Sequence, residues 1–310
     1  MSNYAVPPSD ARMTLLIAGG SGFLGTALAK AFRAAGHRVM ILTRRPQREG
    51  DVLWSTKPTD TTWRHALERS DAVINLAGAS IAGARWTDDR KREIRASRME
   101  PTVSLVSAIA AATRPPAVFI SGSAVGIYGV RGDEVITEET PAGDDFMASL
   151  CRDWETRALE ASSRSRTVLL RSGVVLAREG GALPQLALPF RLFAGGPIGT
   201  GQQYLSWISL TDWIGIVRWT LTRNHVSGPI NLTAPAPVTN AEFASTIGRV
   251  LGRPSFVPTP AFAVRFALGE LADALILGGQ RVVPTRATAL GYEFKHETLE
   301  PALREIYGRV

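Results

Sequence analysis

An α/β fold, built on a doubly wound parallel sheet with a smaller α+β substrate lobe behind it, is what this sequence predicts, and three observations predict it. A short apolar run, Leu15-Leu16-Ile17-Ala18, passes straight into glycines and then into LGTALAKAFRAAG, whose apolar residues recur at helical spacing. Short apolar strands then alternate with helical stretches to about residue 180, as parallel strands joined by crossover helices do. Beyond Gly180 the texture changes to a stretch rich in Gly, Pro and aromatics, suited to shaping a substrate site. The expected division is a loose leader over 1–12, a sheet domain over 13–180 and a substrate-binding lobe over 181–310. Residues 204–232 are the stretch able to cross back to the sheet.

The first element is the most informative. Gly19, Gly22 and Gly25 follow a G-x-x-G-x-x-G spacing, while Gly20, Gly22 and Gly25 satisfy G-x-G-x-x-G. One glycine permits a sharp turn, one lets a pyrophosphate approach the backbone, and Gly25 lets the helix lie close to the strand. The backbone N–H groups at Phe23 and Leu24 and the positive end of the helix dipole then face the phosphates. This context predicts a dinucleotide site; the plainer alternative is an ordinary βα turn.

The second strand, 37–43, ends at Thr43 and is stopped by Arg44-Arg45-Pro46. An acid at that position would accept hydrogen bonds from the adenosine ribose and repel a 2′-phosphate, whereas arginines do the reverse. The next acids are Glu49 and Asp51, so the expected cofactor is NADP(H). The alternative is that both arginines are surface charges on a turn.

A short strand is expected at 51–54, a helix at 61–69, and a buried strand from Asp71 that runs through Leu76 into Ala77 and Gly78. Small residues there let backbone approach a flat ligand. Thr87 caps a long helix with Asp88 and Asp89 in its first turn, and Pro101 is expected to break or restart it before 103–112. The charged run 88–98 reads as a solvated helix face. A strand at 117–121 enters Ser121-Gly122-Ser123-Ala124, followed by a helix over 144–161 and a strand over 167–171. Behind the sheet domain come a helix opening at Thr211-Asp212, a strand over 228–232, a Thr239-capped helix and short helices near 260–268 and 299–306.

Composition narrows the function. The chain's 310 residues hold 35 Lys+Arg against 28 Asp+Glu, a net charge of +7. The arginines are scattered, which favours an anionic small-molecule ligand over nucleic acid. Cys151 is the sole cysteine, which excludes an intrachain disulfide and makes a reducing cytoplasm the expected compartment. No apolar run reaches membrane-spanning length, and 1–12 lacks a hydrophobic signal core. His37, His65, His225 and His296 show no ligand spacing, so no metal site is expected.

Several stretches together are specific enough to resemble a known family. GGSGFLG, NLAG at 75–78 and SGSAVGIYG at 121–129 resemble the extended short-chain dehydrogenase/reductases, the NAD(P)-dependent sugar-nucleotide epimerases and their relatives. INLAGASIAGARWTDDRKREIRASR, LRSGVVLAREGGALPQ, FAGGPIGTGQQYLSWI and LGGQR are similar to one sub-branch, the YfcH-like epimerase family proteins with a distinctive C-terminal domain. The resemblance covers about 13–308. It implies a Rossmann domain holding NADP(H) and a C-terminal lobe over the nicotinamide, and it does not define a substrate.

In that wider superfamily a Tyr-x-x-x-Lys pair on one helix face performs acid/base chemistry, with a serine after strand five on the substrate oxygen. Ser123 matches the serine. Aligning Glu155 with the acid that follows the lysine puts Met147 and Cys151 at the tyrosine and lysine places, and no Tyr-x-x-x-Lys occurs anywhere in the chain. Tyr128 is therefore weighed as a proton donor against a packing role. Glu138 and Glu139 are weighed as bases against a solvated loop, which is the favoured reading, and Cys151 reads as inert packing. The resemblance places Arg171, Gly173 and Val174 beneath the nicotinamide amide. Gln203, Tyr204 and Trp207 are candidates for a polar-aromatic substrate wall, and Arg281 for an anion contact, each against a structural role. Two functions stay open: an NADP(H)-dependent oxidoreductase or epimerase-like enzyme on a small polar substrate, and a non-catalytic NADP(H)-binding redox sensor or regulator. The resemblance further implies a homodimer through helices near 101–112 and 144–161, with Ala108, Ala110, Ala111 and Ala112 allowing close packing.

Overall fold

The computed structural model describes residues 12–57 and 59–308. All of the leader reading except Arg12 lies outside the described residues.

Seven parallel strands form the central sheet, in the order β11-β7-β5-β4-β1-β2-β3. They are β1 (Thr14–Ala18), β2 (Arg38–Thr43), β3 (Asp51–Leu53), β4 (Ala72–Asn75), β5 (Val118–Ala124), β7 (Arg166–Ser172) and β11 (Gly228–Leu232). Three two-stranded pairs hold the loops together: β6 (Val135–Ile136) with β13 (Arg281–Val282), β8 (Val174–Leu176) with β10 (Trp207–Ser209), and β9 (Tyr204–Leu205) with β12 (Val238–Thr239). The helices are α1 (Phe23–Ala34), α2 (Arg64–Glu68), α3 (Asp88–Ala111), α4 (Phe146–Leu159), α5 (Leu183–Arg191), α6 (Leu210–Thr222), α7 (Asn240–Leu251), α8 (Ala261–Leu268), α9 (Glu270–Ala272), α10 (Thr285–Ala289) and α11 (Leu299–Tyr307).

Strand alternation sorts the sheet's side chains onto two covered faces. Leu15, Ile17, Ile74, Ile120 and Leu170 pack with Leu28 and Phe32 of α1 and with Trp213, Ile216 and Val217 of α6. Leu16, Ala18, Val73, Phe119 and Leu169 pack on the other face with Trp63 and with Leu105 and Ile109 of α3. This is the doubly wound Rossmann-like arrangement. The order reverses beside β1, and the crevice at such a switch point is where ligands enter.

Three expectations are corrected. Pro101 does not break the helix, because α3 runs unbroken through it. Pro101 and Thr102 are buried, and the Thr102 hydroxyl joins Asn75, Trp154 and the Arg98 carbonyl, so tertiary packing overrides the cost of the missing N–H. The helix expected over 61–69 is only Arg64–Glu68. The helix expected to open at Thr211-Asp212 begins at Leu210, with Ser209 as its cap, accepting from the Asp212 N–H.

The second lobe has its own core, in which α5, α7 and α11 meet through Leu183, Phe190, Phe243, Ile247 and Leu303. Its first half nevertheless feeds the main sheet: α6 covers one face, and β11 lies beside β7. A fourth cluster joins the lobes beside the crevice, with Ile127, Met147, Leu150 and Cys151 against Leu271 and Val282. Among the described residues no helix is long and apolar enough to cross a membrane.

Candidate functional site

The glycines after β1 divide the work. Gly19 has φ +79°, and a Cβ there would stand 2.5 Å from the Leu76 carbonyl carbon, so the turn lies directly on the end of β4. A Cβ on Gly25 would overlap the Gly19 carbonyl oxygen, so α1 lies equally close to the turn. Gly22 is exposed, with nothing closer than the Gly19 oxygen at 3.4 Å. It caps α1 with no side-chain hydrogen bond and no acid in the first turn. The first-turn N–H groups, which a helix cannot satisfy internally, are left for a ligand. The Phe23 ring is held against Gly180 and Gly181, which fixes the mouth of the turn. The residues present therefore fit a pyrophosphate.

At the end of β2, Arg44 and Arg45 are exposed, and neither enters an ion pair among the described residues. Thr43 Oγ1 accepts from the Arg45 N–H at 3.2 Å, which fixes the bend. Of the two acids that follow, Asp51 accepts from the Gln47 and Arg48 N–H groups at 2.8 and 3.0 Å and so serves the following turn.

Beyond β4, Asn75 is fully buried; its amide donates to Thr102 and its carbonyl oxygen accepts from the Ala77 N–H at 3.2 Å. This shapes Leu76 and Ala77, both half-buried, and leaves Gly78 exposed. Next to it the Ser121 hydroxyl stays within β5, and Gly122 is needed because a Cβ would meet the Trp154 ring at 2.9 Å.

Ser123 lies at the end of β5 and donates to Glu155 Oε1 at 2.6 Å. Glu155 is held in turn by Arg171, with Nε on Oε1 at 2.9 Å and Nη2 on Oε2 at 2.8 Å. Burial alone pulls the Arg171 pKa down, but the hydrogen bonds and charge of Glu155 outweigh it and hold the guanidinium above its usual value. Arg171 Nη1 also donates to the Tyr128 hydroxyl at 2.9 Å, and Tyr128 donates to Asn231 Oδ1 at 2.7 Å. Burial, the largest influence, pushes the Tyr128 hydroxyl up to about 12.

This network corrects several expectations. Tyr128 is 1% exposed and committed to Asn231, so it is not placed as a proton donor. Arg171 is committed to Glu155 rather than turned to the crevice. Glu138 is not in a solvated loop: it is 6% exposed and accepts from the Asn231 and Arg286 N–H groups. Gly173 is glycine because a Cβ would overlap the Ser206 carbonyl, so it serves the approach of β8 to β10, where Val174 pairs with Trp207. Trp207 is fully buried and donates to the Ala236 carbonyl at 3.0 Å, so it is core and not a substrate wall. Gln203 holds the loop carbonyls of Ile198 and Ile276 at 3.0 and 3.2 Å. Tyr204 and Arg281 stay half-buried, the guanidinium 5.1 Å from the ring centroid. The charged run 88–98 is not wholly solvated either, because Arg98 is buried. The stripe Ile94, Arg98, Thr102, Leu105, Ile109, at helical spacing, was the signal for that.

Met147 and Cys151, at the tyrosine and lysine places, belong to the apolar cluster with Leu271 and Val282. Burial and then the charge of Glu155 push the Cys151 thiol up to about 12, which makes it unreactive.

Residues 15–232 match the NAD-dependent epimerase/dehydratase family, and 259–306 match a domain of unknown function, DUF1731. Epimerase family protein SDR39U1 of Homo sapiens is 40% identical over 297 residues, covering 95% of this chain and 99% of that protein. Epimerase family protein MT2273 of Mycobacterium tuberculosis is 43% identical over 295 residues, covering 94% and 97%. The crystal structure of human SDR39U1 (isoform 2) with NADPH is similar at a TM-score of 0.87 and 39% identity, over 96% of this chain and all of that one.

Proposed function

This chain belongs to the NAD-dependent epimerase/dehydratase family, and from that premise we propose an NADP(H)-dependent oxidoreductase or nucleotide-sugar-epimerase-like enzyme acting on a small polar substrate. The observation that carries the reading is the pair of exposed guanidiniums, Arg44 and Arg45, unpaired among the described residues and beside an open glycine turn, with Asp51 engaged by the turn that follows. NADPH in the human relative's structure supports the same choice.

In this reading the N–H groups at Phe23 and Leu24 hold the pyrophosphate, Arg44 and Arg45 hold the 2′-phosphate, and Ala77 and Gly78 offer backbone to the ligand's flat faces. When bound, the nicotinamide supplies or takes up the hydride. The Ser123 hydroxyl spends its one hydrogen on the bond to Glu155, so towards a ligand it offers lone pairs and accepts from a hydroxyl or amide. Arg171 fixes Glu155 in that role. Tyr204 and Arg281 form the polar side of the substrate wall. Two copies pair through α3 and α4, to which Val103, 45% exposed, and Leu159, 43% exposed, contribute apolar surface; a monomeric mass in solution at micromolar concentration removes this pairing.

The second reading, a non-catalytic NADP(H)-binding sensor, is favoured by one observation: Met147 and Cys151 lie inside an apolar cluster where an acid/base pair would stand. Turnover of any carbonyl substrate decides against it.

The cofactor reading is tested by thermal stabilisation of cofactor-free protein with NADPH, NADP+, NADH and NAD+, and of Arg44→Asp alongside. A ligand at one hundred times its dissociation constant adds about 2.7 kcal/mol. Stabilisation by the phosphorylated pair, with selectivity cut by about tenfold or more in Arg44→Asp, is expected from reversing a charge at a phosphate site. Stabilisation by none of the four removes the reading.

A further inference from the structure

Arg98 forms the floor of the crevice between β4 and β5. A Cβ on Gly78, just beyond β4, would stand 3.0 Å from its Cζ. On its other side the guanidinium lies 5.4 Å from the Trp154 ring centroid, and Trp154 in turn underlies Gly122 of β5. Arg98 is 7% exposed. Nη1 donates to the Ile94 carbonyl at 3.0 Å and Nη2 to the Ala79 carbonyl at 3.2 Å, both neutral acceptors.

Among the described residues no carboxylate lies within 4.0 Å of this guanidinium. Glu155, the acid of the neighbouring network, is already neutralised by Arg171 at 2.8 Å. Burial, the largest influence, pulls the Arg98 pKa down; Cys151 opposes this and Arg90 adds to it, but a guanidinium keeps its proton at any physiological pH. The floor of this half of the crevice therefore carries a fixed, uncompensated positive charge.

We propose that Arg98 makes the site discriminate between the redox states of its cofactor, holding NADPH more tightly than NADP+. The proposal rests on the cofactor reading above. With the 2′-phosphate at Arg44 and Arg45, the adenosine half lies towards β2, which leaves the crevice over β4 and β5 to the nicotinamide half. Both redox states share the phosphates and both riboses, so those contacts cancel in the comparison. The difference is the ring, cationic when oxidised and neutral when reduced. A buried cation without a counter-ion opposes the oxidised ring, and in this low-dielectric floor it is weakly screened. The site then fills with the reduced form when both are present.

The test is calorimetric titration of cofactor-free protein with NADPH and, separately, with NADP+, for the unaltered chain, Arg98→Met, Arg98→Gln and Arg98→Lys. The unaltered chain is expected to bind NADPH about tenfold more tightly, a difference of about 1.4 kcal/mol. The ratio should fall towards one in Arg98→Met and Arg98→Gln and persist in Arg98→Lys. A ratio near one in the unaltered chain overturns the proposal, as does an undiminished ratio in Arg98→Met, or an equal loss of both affinities. The unaltered chain alone keeps the proposal falsifiable where a variant fails to fold. Failure of every dinucleotide to bind removes the cofactor reading itself, whereas equal binding of both redox states removes only this inference.

Discussion

The two halves of the crevice are built on opposite plans. Over β1 and β2 the groups that face outwards have no partner among the described residues: the N–H groups of Phe23 and Leu24 in the first turn of α1, and the guanidiniums of Arg44 and Arg45. Over β5 and β7 the polar side chains are already joined, Ser123 to Glu155, Glu155 to Arg171, Arg171 to Tyr128 and Tyr128 to Asn231. The first half is shaped by backbone and becomes complete when a ligand arrives. The second is complete beforehand, and it meets a ligand with a few fixed lone pairs rather than with mobile acids. A pre-satisfied network of this kind is rigid, and it is costly to break at any one member.

The contrast predicts where substitutions should be felt as stability and where as binding. Glu155→Gln should have the largest effect. It leaves Arg171 buried without its carboxylate and should cost about 3–5 kcal/mol in urea unfolding; a loss below about 1 kcal/mol would mean that the network is not buried as described. In the other half, Gly25→Ala forces a methyl into the Gly19 carbonyl and should cost about 1–3 kcal/mol. Gly22→Ala, whose added Cβ would have an ordinary contact of 3.4 Å, should fold as well as the parent and lose affinity for the dinucleotide. Equal stability of the two glycine variants would erase the division between packing glycines and an open one. Tyr128→Phe leaves Arg171 Nη1 and Asn231 Oδ1 each short of a partner and should cost about 1–3 kcal/mol. Since the Tyr128 hydroxyl titrates only near 12, any pH–rate profile should keep its shape between pH 6 and 9. Loss of a basic limb in Tyr128→Phe would restore Tyr128 as the proton donor.

The half shaped by backbone was legible in the sequence because its signals are local. Gly19, Gly22 and Gly25 lie within seven residues, between a strand and a helix, and the arginines directly follow β2. The parallel sheet was legible for the same reason, since strand and helix periods alternate along the chain. The joined half was not. Glu138 looked solvated because the N–H groups that bury it belong to Asn231 and Arg286, far along the chain. Trp207 and Arg171 sit in motifs that invite a ligand role, yet their partners, Ala236 and Glu155, come from other elements. Pro101 misled because its local penalty is real and is overridden only by the packing of Thr102 and Leu105. Composition gave no hint that Arg98 lacks a counter-ion, since that depends on which acids other bases have already claimed.

The late arrival of β11 has a consequence for synthesis. A ribosome that has released β7 has made six of the seven sheet strands, but the outer edge of β7 stays unpaired until Leu232 emerges, about sixty residues later. At about 5–20 residues per second that interval lasts several seconds. During it the nascent chain presents an unpaired parallel edge of the kind that recruits foreign strands. The boundary between the lobes is therefore no place to cut this protein, because the segment that protects the first lobe is encoded inside the second.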